Sequence, residues 1–113
     1  MKKYYLKIRE SDKIFFEVIK NGIKTVDTRA ATKKFQHIKK EDILVFVCGN
    51  KKIEKKIKQI DYFQNIEDLV KKIDFKKIMP FVSSLKEAKK VWYSFPNYKK
   101  KISNFGIIAF HLE

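Results

Sequence analysis

The residues best suited to chemistry in this chain fall within one short segment, Gly22-Ile23-Lys24-Thr25-Val26-Asp27-Thr28-Arg29. Arg29 and Arg9 are its only arginines, against a background in which lysine is the default cation. A guanidinium is a flat fork that meets phosphate or carboxylate through two parallel hydrogen bonds, so an arginine here marks a place where that fork is wanted. Asp27 stands two residues away. It could orient the fork, accept a hydrogen bond from a base amino group, or act with Lys24 as an acid/base pair. A plain ion pair between Asp27 and Arg29 that braces the sheet explains the same two residues without a ligand. Alternation on a strand puts Thr25, Asp27 and Arg29 on one face and Lys24, Val26 and Thr28 on the other. A twist after Gly22 would still bring Lys24 to a cleft mouth.

Other chemistries have little support. Cys48 is the lone cysteine and has no Cys or His neighbour at metal-ligand spacing, so neither a disulfide nor a metal site is expected. His37 and His111 lie far apart and read as surface or edge residues. No phosphate-cradling glycine loop or nucleophile elbow occurs, and no cofactor is implied. Trp92, Tyr93, Phe95 and Tyr98 cluster just before Lys99-Lys100-Lys101. Aromatics beside cations can stack bases. The spacing of Trp92 from Leu85 and Ala88 instead points that ring inward, while Tyr93 and Tyr98 fit either role.

The elements that must position these residues can be read from pattern. Tyr4 to Ile8 is β-prone. Ser11 or Asp12 can cap a helix with Ile14, Phe15, Val18 and Ile19 on one stripe, closed by Asn21-Gly22. Lys24 to Arg29 then reads as a strand, and Ala30 to Lys40 as an irregular connection. Ile43 to Cys48 is a continuous apolar run suited to a buried strand, and Gly49-Asn50 is a hairpin turn. Lys51 to Phe63 fits a returning strand better than a helix. Asn65 and Ser84 cap two further helices, the second through the capping box Ser84-Leu85-Lys86-Glu87. Ser94 to Phe105 reads as loop, and Ile107 to Leu112 as a final strand. Phe15, Phe46 and Phe110 fall in core stripes. The expected class is α+β: a small, partly closed mixed or antiparallel barrel with helices at its rim.

The 113 residues suit a single domain over 1–113. No apolar run is long enough to span a membrane, the N-terminus lacks the apolar core of a signal peptide, and a cytoplasmic monomer is the expectation. The net charge of +14 suits a polyphosphate partner. It also suits lysine bias from an AT-rich genome, since most cations are lysine and Ile, Phe, Tyr and Asn abound.

The segment Gly22 to Arg29 after an amphipathic helix resembles the ASCH family of the PUA-like superfamily, whose signature runs Gly, then Lys, Thr, an apolar residue, an acid, one residue and Arg. Three further stretches resemble the family in the same order: Lys40-Glu41-Asp42 with Ile43 to Phe46, Ile60 to Leu69, and Tyr98 followed by Gly106 to Phe110. The resemblance covers nearly the whole chain and implies a small PUA-like barrel. It also implies a cleft beside the signature strand that binds RNA or a nucleotide-like ligand through Lys24, Thr25, Asp27, Arg29 and Tyr98. Some ASCH proteins are amidohydrolases that deacetylate N4-acetylcytidine, and some are ribonucleases. That activity would place Lys24 and Asp27 at the catalytic centre. Here the chain departs from the family. Asp27 stands where the amidohydrolases carry Thr, and no carboxylate lies between Met79 and Val82. Glu41 stands where the family has Gly.

Overall fold

The computed structural model describes residues 1–113. The chain runs β1 (Lys3–Lys7), α1 (Lys13–Lys20), β2 (Val26–Ala30), β3 (Ile43–Cys48), β4 (Lys51–Phe63), α2 (Ile66–Lys72), α3 (Leu85–Ser94), α4 (Tyr98–Phe105) and β5 (Ile107–Leu112). The five strands make one mixed sheet in the order β1-β3-β4-β5-β2. β1 is parallel to β3 and the other neighbours are antiparallel. The sheet curls into a half-barrel with helices around it, an α+β architecture. β1 and β2 are its two edges, and the barrel is open between them.

Alternation along the strands sorts side chains onto two cores. Leu6, Leu44, Phe46, Ile57, Ile108, Phe110 and Leu112 fill the concave side, covered by Phe16 and Ile19 of α1. Val26, Ala30, Ile107 and Ala109 face the other way, onto Leu69, Ala88, Trp92 and Ile102 of α2, α3 and α4. β5 is buried on both faces because it serves both cores, which explains its unbroken apolar run. β4 holds thirteen residues because it spans the whole sheet. It pairs with β3 through its first half and with β5 through its second, with an irregularity between Ile57 and Gln59 where the partner changes.

The caps form largely as the sequence prescribes. Asn65 Oδ1 accepts from the Asp68 amide at 2.8 Å, and Ser84 Oγ accepts from the Glu87 amide at 3.2 Å. Gly22 takes φ +76 at the end of α1, the left-handed turn that glycine allows. Asp12 does not cap α1; its carboxylate takes the Arg9 guanidinium at 2.8 Å instead. Three other expectations change. Ile14 is exposed while Phe16 is buried, so the stripe of α1 is rotated from the one anticipated. Lys24 and Thr25 precede β2 rather than belonging to it. Ser94 to Phe105 is not a loop. Asn97, at φ 59, turns the chain and Tyr98–Phe105 forms α4, with Ile102 buried. The lysine run lies on the solvent side of that helix.

Gly106 joins α4 to β5 at φ +80, and a Cβ there would stand 2.6 Å from the Phe63 carbonyl oxygen. Both conformation and close backbone approach therefore require glycine. Gly106→Ala is expected to lower the unfolding free energy by more than about 1 kcal/mol in urea titration. A change smaller than the fitting error would show that the α4–β5 junction relaxes freely.

Candidate functional site

The barrel seam holds a cavity of about 260 Å³. β1 and the turn after it contribute Lys7, Ile8, Arg9 and Asp12. α1 contributes Phe15, the signature segment contributes Lys24, Asp27, Thr28 and Arg29, and α3 with its following turn contributes Trp92 and Phe95. Tyr98, Ile78 and Met79 complete the wall. The volume lies just under the usual range for small-molecule sites, about 300–1,000 Å³, and an apolar wall with a few convergent polar groups is their usual form.

Asp27 is the centre of the polar cluster. Its Oδ2 accepts from Arg29 Nε at 2.9 Å, and its Oδ1 lies 3.6 Å from Lys24 Nζ. Lys24 is only 2% exposed. Its ammonium also donates to the carbonyl oxygens of Val26 at 2.8 Å and Ile78 at 2.7 Å. Burial pulls the Lys24 pKa down to about 8, with Asp27 opposing the shift and Arg29 adding to it. Burial also acts to lower the Arg29 pKa, but Asp27, by charge and hydrogen bond, outweighs it and the net shift is upward. Desolvation raises the Tyr98 phenol, against the pull of Arg29 and of the nearby Ala30 amide. Two cations share one carboxylate, so the cluster keeps a surplus of positive charge. Arg29 spends Nε on Asp27, and its outer nitrogens have no protein partner on a side chain 19% exposed.

The backbone adds something the side-chain pattern did not disclose. Leu112 donates its amide to the Thr25 carbonyl at 2.9 Å, and Ala31 donates to Gly106 at 2.9 Å. Odd-numbered residues of β2 therefore face β5, and Val26, Thr28 and Ala30 turn their N–H and C=O groups to the open edge. Lys24 takes the Val26 carbonyl, and the Thr32 amide donates to the Ala30 carbonyl at 2.8 Å. The N–H and C=O of Thr28 remain between them, at the cavity wall, as an adjacent donor and acceptor. The Thr28 hydroxyl accepts from the Trp92 indole at 2.9 Å, which fixes that ring against the strand.

Of the residues singled out from sequence, Lys24, Asp27, Arg29 and Tyr98 meet in this cavity. Thr25 does not. It is exposed before the strand begins, and its amide is tied to the Lys77 carbonyl at 3.0 Å. The strict division into two faces fails for Lys24 and Thr28, because a strand edge is accessible from both sides and the long lysine stem curls under Asp27. Trp92 does pack inward, and its indole still reaches the cavity. Phe15 is half-buried and lines the cavity, stacked edge-on to Phe81 with ring centroids 5.0 Å apart. Thr28 and Phe15 line the cavity without having been candidates on sequence grounds. An edge position is a property of topology, and a helical stripe read from sequence does not tell core from cavity wall.

No protein-family model matches the chain, and no curated protein resembles it significantly. Among solved structures, the crystal structure of hypothetical protein PH0355 superposes with a TM-score of 0.84 at 27% identity, covering 100% of this chain and 98% of that one. The solution structure of protein PF0455 from Pyrococcus furiosus superposes at 0.77 with 23% identity, covering 98% and 96%. The two share the fold of this chain along almost its entire length.

The Lys24 amine should titrate alone, below the other lysines. In NMR of ¹³Cε-labelled lysine one resonance is expected to move with a midpoint near 8 and to vanish in Lys24→Met. Because this folded-state value lies below the ordinary 10.5, the unfolded chain holds more protons between the two, so Lys24 makes stability rise with pH across that window. All lysines titrating together near their ordinary value would refute the burial argument.

Proposed function

We propose that the seam cavity binds RNA or a nucleotide-like ligand, and that the chain is a PUA-like module of the ASCH type. The observation that carries this reading is the open donor–acceptor pair of Thr28, flanked by the free end of the Arg29 guanidinium and by aromatic walls. A nucleobase offers the matching elements: a flat apolar face and an edge on which donor and acceptor stand side by side. The surplus charge of the cluster adds attraction to phosphate. Glu41 supports the family resemblance from a separate place. It takes φ 79, the conformation for which the glycine of the family motif is suited.

Lys24 supports binding more than catalysis. Its lowered pKa favours a second reading as a hydrolase acting on RNA or a modified nucleoside such as N4-acetylcytidine, with Lys24 and Asp27 as the acid/base pair. Yet its ammonium donates to two carbonyls and stands 3.6 Å from the Asp27 carboxylate, contacts that favour the charged form, so its role is to hold charge beneath the ligand. No carboxylate besides Asp27 and the mouth residue Asp12 reaches the cavity.

Fluorescence anisotropy with a short single-stranded RNA tests the binding reading. Arg29→Ala is expected to weaken binding by about tenfold or more, the worth of a charged hydrogen bond. Arg29→Lys is expected to recover only part of it, because the fork is lost. Undiminished binding by Arg29→Ala would sink the proposal. Incubation with N4-acetylcytidine and with labelled RNA separates the readings: turnover that disappears in Lys24→Ala marks an enzyme, and binding without turnover marks the module.

A further inference from the structure

Tyr5 has no part in either core. It stands 59% exposed on the outer face of β1. Lys7 follows on the same face, two residues nearer the cavity, and is itself part of the cavity wall. Across the sheet, Lys7 is paired with Val47 and Val47 with Lys52, so the two lysines flank one row. Lys52 reaches over to the Tyr5 ring, with Nζ 5.8 Å from its centroid. The next charges along the face are already compensated. Lys3 pairs with Glu54 at 3.1 Å, and Lys56 pairs with Glu41 at 2.8 Å. Lys7 and Lys52 have no acidic partner.

The cavity wall thus continues through Lys7 into a face where two cations without acidic partners stand in the row beside an exposed aromatic ring. Tyr5 lies roughly 7 Å along the strand from Lys7, a step that an extended nucleotide spans. This is the composition of a single-strand platform: a ring for a base face and cations for the adjoining phosphate. We propose that the outer face of β1, β3 and β4 continues the binding cleft. A single-stranded RNA that places one base in the cavity lays a neighbouring base on Tyr5, with the intervening phosphate against Lys7 and Lys52. The inference rests on the nucleotide reading of the cavity and commits that reading to a polymer rather than a free nucleotide. Lys7 supports it, since it belongs both to the cavity wall and to the exposed face of β1 that carries Tyr5.

The test compares a short labelled single-stranded RNA with a nucleoside monophosphate on wild type, Tyr5→Ala and Lys52→Ala. Both positions are exposed, so both variants are expected to fold. RNA affinity should fall roughly tenfold in Tyr5→Ala, as loss of one stacked base requires, while monophosphate affinity stays unchanged. In Lys52→Ala the slope of log affinity against log salt should shrink by about 0.7, one phosphate contact on a single strand. RNA that binds no tighter than the monophosphate, or RNA binding untouched in both variants while Arg29→Ala destroys it, overturns the platform and leaves the cavity reading intact. Duplex RNA binding as well as single-stranded RNA, or an acidic peptide competing equally, also overturns the platform. If neither probe binds the wild type, the nucleotide reading falls and the platform with it.

Discussion

Asp27 is 5% exposed, and a carboxylate that deep persists only because two cations meet it. The arrangement is demanding in both directions. Lys24 is buried as well, and taking an ammonium out of water costs several kcal/mol unless its protons are satisfied. The carbonyls of Val26 and Ile78 accept two of them, and the carboxylate of Asp27 stands 3.6 Å away as the counter-charge. In doing so they tie the start of β2 to the segment between α2 and α3, at the boundary between the two cores. The cluster therefore closes one side of the seam. Losing Asp27 leaves two cations stranded, whereas losing Lys24 or Arg29 leaves Asp27 with one partner, so the carboxylate is the member on which the cluster depends.

The cluster sits at an edge, and the edge follows from topology. β1 joins the sheet through a parallel pairing with β3, and β2 joins through β5, so the first and second strands in sequence end up at opposite margins of one curled sheet. A closed barrel would have consumed the backbone groups of both. The open seam leaves them in need of partners, and some are met locally: Lys24 at the Val26 carbonyl and the Thr32 amide at the Ala30 carbonyl. Edge strands that present unpaired groups are usually shielded because they invite pairing with other chains. Here the shielding stops at Thr28, inside a cavity walled by Phe15, Trp92, Phe95 and Tyr98. An unpaired donor and acceptor enclosed in this way cost little only when water or a ligand can reach them.

Much of this was legible in the residues, and the exceptions have physical reasons. The hairpin at Gly49-Asn50, the caps at Asn65 and Ser84, and the glycine after α1 are local devices, and they act as their chemistry dictates. α4 was not legible, because Lys99-Lys100-Lys101 hides an amphipathic pattern resting on Tyr98 and Ile102 alone. The α1 stripe was misplaced because two adjacent phenylalanines compete for one core position. Phe16 enters the core, and Phe15 goes to the cavity. Lys24, Asp27, Arg29 and Tyr98 could be singled out because their types are informative wherever they stand, and they line one cavity. Thr25 and Thr28 were exchanged, because only the pairing of β2 with β5 decides which residues face the open edge. Glu41 appeared as a departure from a glycine motif, and it holds the positive φ that a glycine would have accommodated.

The net charge of +14 is the most conspicuous property of the sequence and says least about where a ligand would sit. Lysines are spread over almost every exposed surface, and several are matched by carboxylates: Lys3 by Glu54, Lys56 by Glu41, Lys89 by Glu67. Exposed pairs of this kind contribute little to stability and cancel locally in the field. What distinguishes the seam is the opposite arrangement, positive charge that is buried and incompletely neutralised. In a low-dielectric pocket such charge acts strongly and at short range, whereas surface lysine acts weakly and is screened by salt. An encounter steered by the whole molecule and a complex fixed by one cluster are separate events. Lysine bias alone can supply the first. The second needs the particular placement of Lys24, Asp27 and Arg29 against an open strand edge, which no compositional bias produces.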